Sequence, residues 1–317
     1  TGCPQFWRIG AENTAAGRGR VGDILTRTPE FGTDQGQWSG AGQLERDLVL
    51  TDEDFTRIRQ LIYQRAGIVL AEHKREMVYS RLAKRLRYHG LKHFSDYLDK
   101  LGRQPDGREW EAFTNALTTN LTAFFREMHH FPLLADHVAT VRGPVRIWSA
   151  AASTGEEPYS IAMTLHEALG SRVADARVLA TDIDTEALAR ARAGVYPLEQ
   201  VRKLDEERVR RFFQRGRGKH EGLARVRPEV ASIVEFQHLN LLAPQWPMKG
   251  QFDAIFCRNV MIYFDKQTQA RLLERFAPLL KPDGLLFAGH SENFSYISKV
   301  FRLRGQTVYT LSSSHAG

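Results

Sequence analysis

Residues 147 to 157 read IWSAAASTGEE, an apolar strand that runs into a turn of small side chains and then straight into two carboxylates. Such a turn at the start of a helix lets a ligand lie against backbone N–H groups, because no bulky side chain holds it away. Glu156 and Glu157 would repel a pyrophosphate, yet would hold a cationic amine or a ribose hydroxyl. The loop therefore points to a positively charged, adenosine-bearing ligand such as S-adenosylmethionine. It lacks the G-x-G-x-x-G spacing, and a plain tight strand-to-helix turn would look similar, so the surrounding pattern has to decide.

From Pro144 onward that pattern alternates strand and helix. Strand 145–150 precedes a helix over 158–169, strand 177–181 (RVLAT) a helix over 185–193, and strand 253–257 (DAIFC) a helix over 266–280. This is the rhythm of an α/β, doubly wound, Rossmann-like sheet. At the end KPDG (281–284) reads as a turn and LLFAGH as a strand; Thr307 to Leu311 forms another strand reached through RLRG, and the two closing strands can pair antiparallel. Before the sheet, 51 to about 140 reads as all-helical. TDED supplies a Thr cap and acidic first-turn residues ahead of Phe55, Ile58, Leu61 and Ile62 at helical spacing, and further helices are expected over 73–89, 94–101 and 109–117. Residues 1–43 are Gly-rich with little apolar periodicity and read as a flexible extension, or in part as sequence added for expression. The expected division is thus 1–43, a helical domain over 44–140, and a sheet domain over 141–317.

About 196–232 breaks the rhythm with a charged helix, the Gly-rich turn RGRGKHEG and a strand-like LARVR. An inserted β-subdomain is the economical reading. A hairpin at the sheet edge would suit recognition of a peptide by strand addition, while a solvated hairpin without a partner fits the same residues.

The carboxyl ends of the strands supply the candidate site, since ligands of doubly wound sheets lie in that crevice. Asp182, in TDID, takes the position where an acidic side chain commonly holds ribose hydroxyls; Asp184 reads as the cap of the helix that follows. Asn240 and Leu241 can bracket an adenine ring, and Arg258, Asn259 and Tyr263 follow DAIFC. Asn120, Thr122 and Arg126, in NLTAFFREMHHF, have spacing that points them toward the same crevice. Phe124, Phe125 and Phe131 read as core between the two domains. His129 and His130 are adjacent on a helix and so face different directions, which favours surface or cap roles over a metal or base pair. Cys257 reads as a small buried residue with no base beside it. On the helix over 73–89, Arg81, Lys84, Arg85 and Tyr88 share one face, most simply a solvated one.

The ordered stretches NLTAFFRE, SAAASTGEEPYSIA, TDIDTEAL, FCRNVMIYFD, LLKPDGLLFAGHSENF and RGQTVY, spanning about 50 to 311, closely resemble the chemotaxis receptor methyltransferases, the CheR family. The resemblance implies transfer of a methyl group from S-adenosylmethionine to receptor glutamates, leaving S-adenosylhomocysteine. It implies a cofactor site of Asn120, Thr122, Arg126, Glu157, Asp182, Asn240, Leu241, Arg258 and Asn259, with Arg126 and Tyr263 beside the transferred methyl. It also implies that Arg81, Lys84 and Arg85 dock on acidic receptor helices, and that the hairpin with Gly216 and Gly218 holds a receptor C-terminal peptide. Residues 1–43 lie outside the resemblance.

Composition narrows the alternatives. With 317 residues, 42% of them hydrophobic, two domains with cores are affordable. No apolar run approaches the roughly 18 residues of a membrane span, and no charged-then-apolar leader opens the sequence, so a cytoplasmic protein without membrane insertion is expected. Cys3 and Cys257 alone, without ligand spacing, indicate neither a disulfide framework nor a metal site. The net charge of +7 suits an acidic partner, but no aromatic platform or motif points to nucleic acid. A nicotinamide-dependent oxidoreductase would need the missing glycine fingerprint, and a noncatalytic binding module could keep the fold without turnover. A substrate glutamate, with a pKa of about 4.3, is already ionised at neutral pH, so no general base is required.

Overall fold

The computed structural model describes residues 48–104 and 107–312; the expectations for 1–43, for the start of the helical domain at 44–47 and for Cys3 lie outside the described residues. The described residues form one compact unit. Its first layer is helical: α1 (Asp52–Ala66), α2 (Arg75–Tyr88), α3 (Phe94–Arg103) and α4 (Arg108–Leu117). Thr51 caps α1 by the expected reciprocal box, its hydroxyl accepting from Asp54 N at 3.0 Å while the Asp54 carboxylate accepts from Thr51 N at 3.3 Å. Phe55, Ile58, Ile62, Leu82, Leu86, Phe94, Leu98 and Phe113 recur at helical spacing and are buried together as this layer's core.

After α5 (His130–Thr140) come β1 (Arg146–Ser149), α6 (Glu156–Leu169), β2 (Arg177–Asp182) and α7 (Thr185–Ala193). The chain then forms β3 (Val195–Pro197), α8 (Leu198–Val201), α9 (Glu206–Phe212), β4 (Phe213–Arg215), β5 (Leu223–Val226) and α10 (Pro228–Ala231) before returning to β6 (Val234–His238), β7 (Phe252–Cys257), α11 (Lys266–Phe276), β8 (Leu280–Ala288), β9 (Phe301–Gly305) and β10 (Val308–Leu311). The main sheet has the order β6-β2-β1-β7-β8-β10-β9. Its first five strands are parallel and β10 is antiparallel to both β8 and β9. The chain works outward from β1 to β2 and β6, then crosses back to β7. The switch point between β1 and β7 therefore opens a crevice at their carboxyl ends.

Four expectations need correction. The helix expected over 266–280 stops at Phe276, where Pro278 interrupts the ladder and Ala277–Leu279 tighten into a 3-10 turn. KPDG lies inside β8 and not between elements; Phe252 pairs with Leu280 but Ala254 with Leu285, so the extra residues bulge out of the strand. RLRG belongs to the edge strand β9, not to a connection. The inserted hairpin does not extend the main sheet's edge, because β3, β5 and β4 form a separate antiparallel sheet. Its apolar residues Tyr196, Phe212, Phe213, Ala224 and Val226 join the sheet-side core.

Phe124, Phe125 and Phe131 are buried in that same core and not between the helical layer and the sheet. Phe124 meets the insertion edge-on, 4.9 Å from Tyr196 and 5.4 Å from Phe213 between ring centroids. Polar contacts fasten the helical layer to the sheet: Tyr63 donates to Asp265 at 2.8 Å, the Asn240 amide to the Arg65 carbonyl at 2.8 Å, and Thr118 and Asn120 to Asp184 at 2.6 and 2.7 Å.

His130 also departs from expectation. It opens α5 with none of its surface exposed, its Nε2 3.0 Å from both the Gln306 carbonyl and the Thr307 hydroxyl, and so ties α5 to the β9–β10 turn. Burial and the nearby Arg258 charge push its pKa down to about 4. The unfolded chain, with histidine near its usual value of about 6.5, then binds the proton that the folded chain refuses. Stability is therefore lost as pH falls from 6.5 through 4, by about 3 kcal/mol for this group. Ring NMR should place the His130 titration near pH 4. The pH dependence of urea unfolding should flatten by that amount in His130→Gln, and a ring titrating near 6.5 would contradict the burial argument.

Candidate functional site

Strand ends and the helical layer together enclose a cavity of about 440 Å³. Its floor is the turn after β1. Gly155 sits at φ 100, and a Cβ there would lie 2.7 Å from the Tyr196 hydroxyl and 2.9 Å from the Ala191 Cβ, so only glycine fits. Ser153, at φ 49, turns its N–H onto Asp182 Oδ2 at 2.7 Å, while Asp184 N donates to Oδ1 at 2.9 Å. Burial pushes the Asp182 carboxyl up, opposed by these backbone N–H groups. Each oxygen keeps acceptor capacity for a hydroxyl. Asp184 caps α7 by accepting from Ala187 N at 2.9 Å, as expected, and also receives Thr118 and Asn120, which braces the segment before α5 against the sheet.

The two acidic residues after the turn diverge. Glu157 lines the cavity, but Glu156 does not: its carboxylate accepts from Gln200 at 3.0 Å and Thr154 at 2.6 Å and is buried. Adjacent helical residues point about 100° apart, so one turn could not aim both into the crevice. Glu157 accepts from Ser149 at 2.8 Å and pairs with Arg258 at 3.0 Å. Burial pushes its carboxyl up against the pull of that guanidinium.

Arg258, with 1% of its side chain exposed, pairs on its other side with Glu127 at 3.1 Å and donates to the Arg126 carbonyl. Burial would raise the Glu127 carboxyl, but the His290 N–H, the Arg258 charge and the Asn259 amide hold it below the usual carboxylate range. Asn259, at φ 58, donates to Glu127 at 3.2 Å. The Arg126 side chain donates to the Leu121 carbonyl at 2.9 Å, which leaves its guanidinium at the lining of the cavity. Cys257 is fully buried and burial pushes its thiol well up, so it is a neutral packing group.

Asn120, Thr122, Arg126, Glu157, Asp182, Asn240, Leu241, Arg258, Asn259 and Tyr263 all line this one cavity. The receptor-facing candidates lie elsewhere. Arg85 makes a two-pronged pair with Glu109 at 2.9 and 2.6 Å, and Arg81 donates to the Ala116 and Thr118 carbonyls at the end of α4, while Lys84 is exposed. Gly216 and Gly218 shape the β4–β5 turn: a Cβ at Gly216 would fall 2.0 Å from the His220 carbonyl oxygen, and Gly218 sits at φ 58. Sequence reasoning missed Glu127, although it adjoins Arg126, and missed the wall contributed by Ile68, Val69, His73, Lys74 and Met77, for which one sequence carries no signal. Among the described residues no cluster of His, Cys, Asp and Glu could hold a metal ion, and no helix is long and apolar enough to cross a membrane.

These groups suit S-adenosylmethionine. Asp182 and Glu157 are carboxylates, Asn120 and Asn240 amides, and Leu239 and Leu241 apolar walls. The Arg258 Nε–H is buried and has no hydrogen-bond partner among the described residues. A doubly wound sheet whose crevice carries these carboxylates and amides without a glycine fingerprint fits the class of S-adenosylmethionine-dependent methyltransferases. Residues 53–118 match the family model described as CheR methyltransferase, all-alpha domain, and residues 120–310 that described as CheR methyltransferase, SAM binding domain. The chain belongs to the CheR methyltransferase family. It is similar to the chemotaxis protein methyltransferase of Escherichia coli K12, 61% identical over 87% of this chain and 97% of that one. The corresponding protein of Salmonella typhimurium is 60% identical over 89% and 98%, and chemotaxis protein methyltransferase 2 of Pseudomonas aeruginosa 56% identical over 82% and 93%. The protein is thus an S-adenosylmethionine-dependent methyltransferase of chemotaxis.

Removing Arg258 would strand two half-buried carboxylates beside each other. Arg258→Ala should destabilise the fold by about 3–5 kcal/mol and weaken S-adenosylhomocysteine binding, read by urea unfolding and titration calorimetry. An unchanged midpoint and affinity would show that the triad does not organise the site.

Proposed function

We propose that the enzyme methylates glutamate carboxylates of chemotaxis receptors in the cytoplasm, forming methyl esters and S-adenosylhomocysteine. The observation that carries this reading is the convergence of Arg126 and Tyr263 on one cavity with the carboxylate acceptors Glu157 and Asp182. The bound cofactor supplies an electrophilic methyl on a sulfonium. An ionised glutamate oxygen would form a bond to that methyl as the carbon–sulfur bond breaks and S-adenosylhomocysteine leaves, so the protein's task is to orient the pair and exclude water. Such orientation is worth as much as roughly 7–11 kcal/mol in well-aligned cases. Arg126 orients a carboxylate and Tyr263 steers the reacting centre. Neither needs to move a proton, because the attacking glutamate is already ionised at neutral pH.

The remaining assignments follow from the same reading. We take Asn120, Thr122, Arg126, Glu157, Asp182, Asn240, Leu241, Arg258 and Asn259 as the cofactor site, 44–140 as the helical domain and 141–317 as the methyltransferase domain with its β-subdomain at about 196–232. Receptor docking falls on the exposed side of α2. Because Arg81 and Arg85 are held by α4, Lys84 meets the acidic receptor helices while the two arginines keep α2 in place. The β-subdomain offers β4 as a free edge, which suits strand addition by a receptor C-terminal peptide, with Gly216 and Gly218 shaping the turn beside it.

Radiolabelled S-adenosylmethionine incubated with receptor-containing membranes should yield protein-bound label that alkali releases as methanol. Label stable to alkali, or none, would overturn the glutamate assignment. Tyr263→Phe should leave cofactor affinity nearly unchanged and lower kcat about tenfold, or about 1.4 kcal/mol of barrier. Lys84→Glu should raise the receptor KM and reduce its salt sensitivity, since exposed charges act on encounter and docking. Unchanged receptor kinetics would return this face to plain solvation.

A further inference from the structure

The segment that follows β7 builds one wall of the cavity with Arg258, Asn259, Val260, Ile262, Tyr263 and Phe264. Its start is neither strand nor helix: Asn259 sits at φ 58, Val260 at φ −123, and only Met261–Tyr263 settle into a 3-10 turn. Three consecutive backbone N–H groups are thereby turned to one side. All three donate to the carboxylate of Glu292, Asn259 to Oε2 at 3.0 Å, and Val260 and Met261 to Oε1 at 3.0 and 2.8 Å. The Gly289 N–H adds a fourth bond, to Oε2 at 2.5 Å. Glu292 is 4% exposed, so these donors replace the water that a carboxylate otherwise demands.

The fit leaves no slack. A Cβ on Gly289 would lie 2.4 Å from Asn259 Nδ2, 2.7 Å from Asn259 N and 2.9 Å from Glu292 Oε2. The backbone after β8 and the wall loop are thus pressed together around the carboxylate. The wall loop passes the constraint on in two directions. Asn259 reaches Glu127 with its amide at 3.2 Å, and the Tyr263 carbonyl accepts from Val69 N at 2.8 Å, which joins the loop to the helical layer.

We propose that Glu292 is a positioning residue for methyl transfer, whose carboxylate folds the wall loop and so sets Arg258, Asn259 and Tyr263 in the cavity. It does not line the cavity and acts only through the loop. Four N–H donors on two oxygens require acceptors at both ends of the group. Glutamine, equal in shape, would turn an NH₂ toward two of those donors and release one side of the loop. The inference rests on the reading of this cavity as the methyl-transfer site, but not on which carboxylate is methylated.

The test is Glu292→Gln, assayed well below its melting temperature beside Val138→Ala, a change in the sheet-side core remote from the cavity chosen to lower Tm. S-adenosylhomocysteine affinity by calorimetry and kcat on receptor-containing membranes should each fall about tenfold in Glu292→Gln. Both should stay within about twofold in Val138→Ala, because loss of stability alone does not move the wall. Wild-type affinity and kcat in folded Glu292→Gln would overturn the proposal. If that variant does not fold, Gly289→Ala keeps the carboxylate and pushes the loop directly. It should show the same loss of S-adenosylhomocysteine affinity, and wild-type affinity there would likewise overturn the assignment. The binding measurement involves no methyl acceptor, so an error in the proposed substrate would leave it unaffected.

Discussion

Arg258 stands at the switch point of the sheet with its guanidinium almost wholly removed from water and a carboxylate on either side, Glu127 from the segment before α5 and Glu157 from the first turn of α6. A buried charge of this kind costs more to desolvate than one ion pair returns, and a triad is a weak source of stability. Its effect is geometric. Each partner comes from a different part of the chain, so the pairing holds three loops at one distance and leaves the cavity between them. Removing Arg258 leaves two carboxylates side by side without a counter-charge, whereas removing either carboxylate leaves the other paired with the guanidinium.

The helical layer acts on the same cavity from outside the sheet. Its apolar core is a cluster distinct from that of the sheet, and Ile183 and Tyr263, packed against it, together with polar contacts such as Tyr63 with Asp265 and Asn240 with Arg65, join the two layers. Such contacts are short and directional, so they set the angle at which Ile68, Val69 and Met77 meet the strand ends. The cofactor cavity is consequently a joint product of two layers.

Local signals in the chain were strong where local physics is decisive. Apolar runs bounded by Gly and Pro marked most of the strands of the sheet, Thr51 and Asp184 announced the helix starts they cap, and the small residues from Ser149 to Gly155 marked the floor of the site. A local signal was overlooked at Pro278, which ends α11 early, but the side-chain readings that failed concern groups whose neighbours are distant in sequence. His130 looked like a surface or cap residue because its partners at Gln306 and Thr307 lie 176 and 177 positions away. Arg81 and Arg85 looked like a solvated face because nothing at helical spacing reveals Glu109 and the end of α4. The three phenylalanines were right as core, but that they pack on the sheet and its insertion and not on α1–α4 could not be read from residue type, which reports burial and not the identity of the neighbour.

The sequence by itself determined the alternation of strand and helix, the inserted small sheet and the residue types available at each strand end, because periodicity, capping and turn chemistry act over a few residues. Only the tertiary structure decided that Glu157 and not Glu156 faces the cavity, that Glu127 completes the pairing of Arg258, and that Glu292 gathers the N–H groups of the wall loop. Those choices depend on which strand ends become neighbours across the switch point. The energy of a buried charge or an unpaired N–H is set by what surrounds it in space, and spacing along the chain does not encode that.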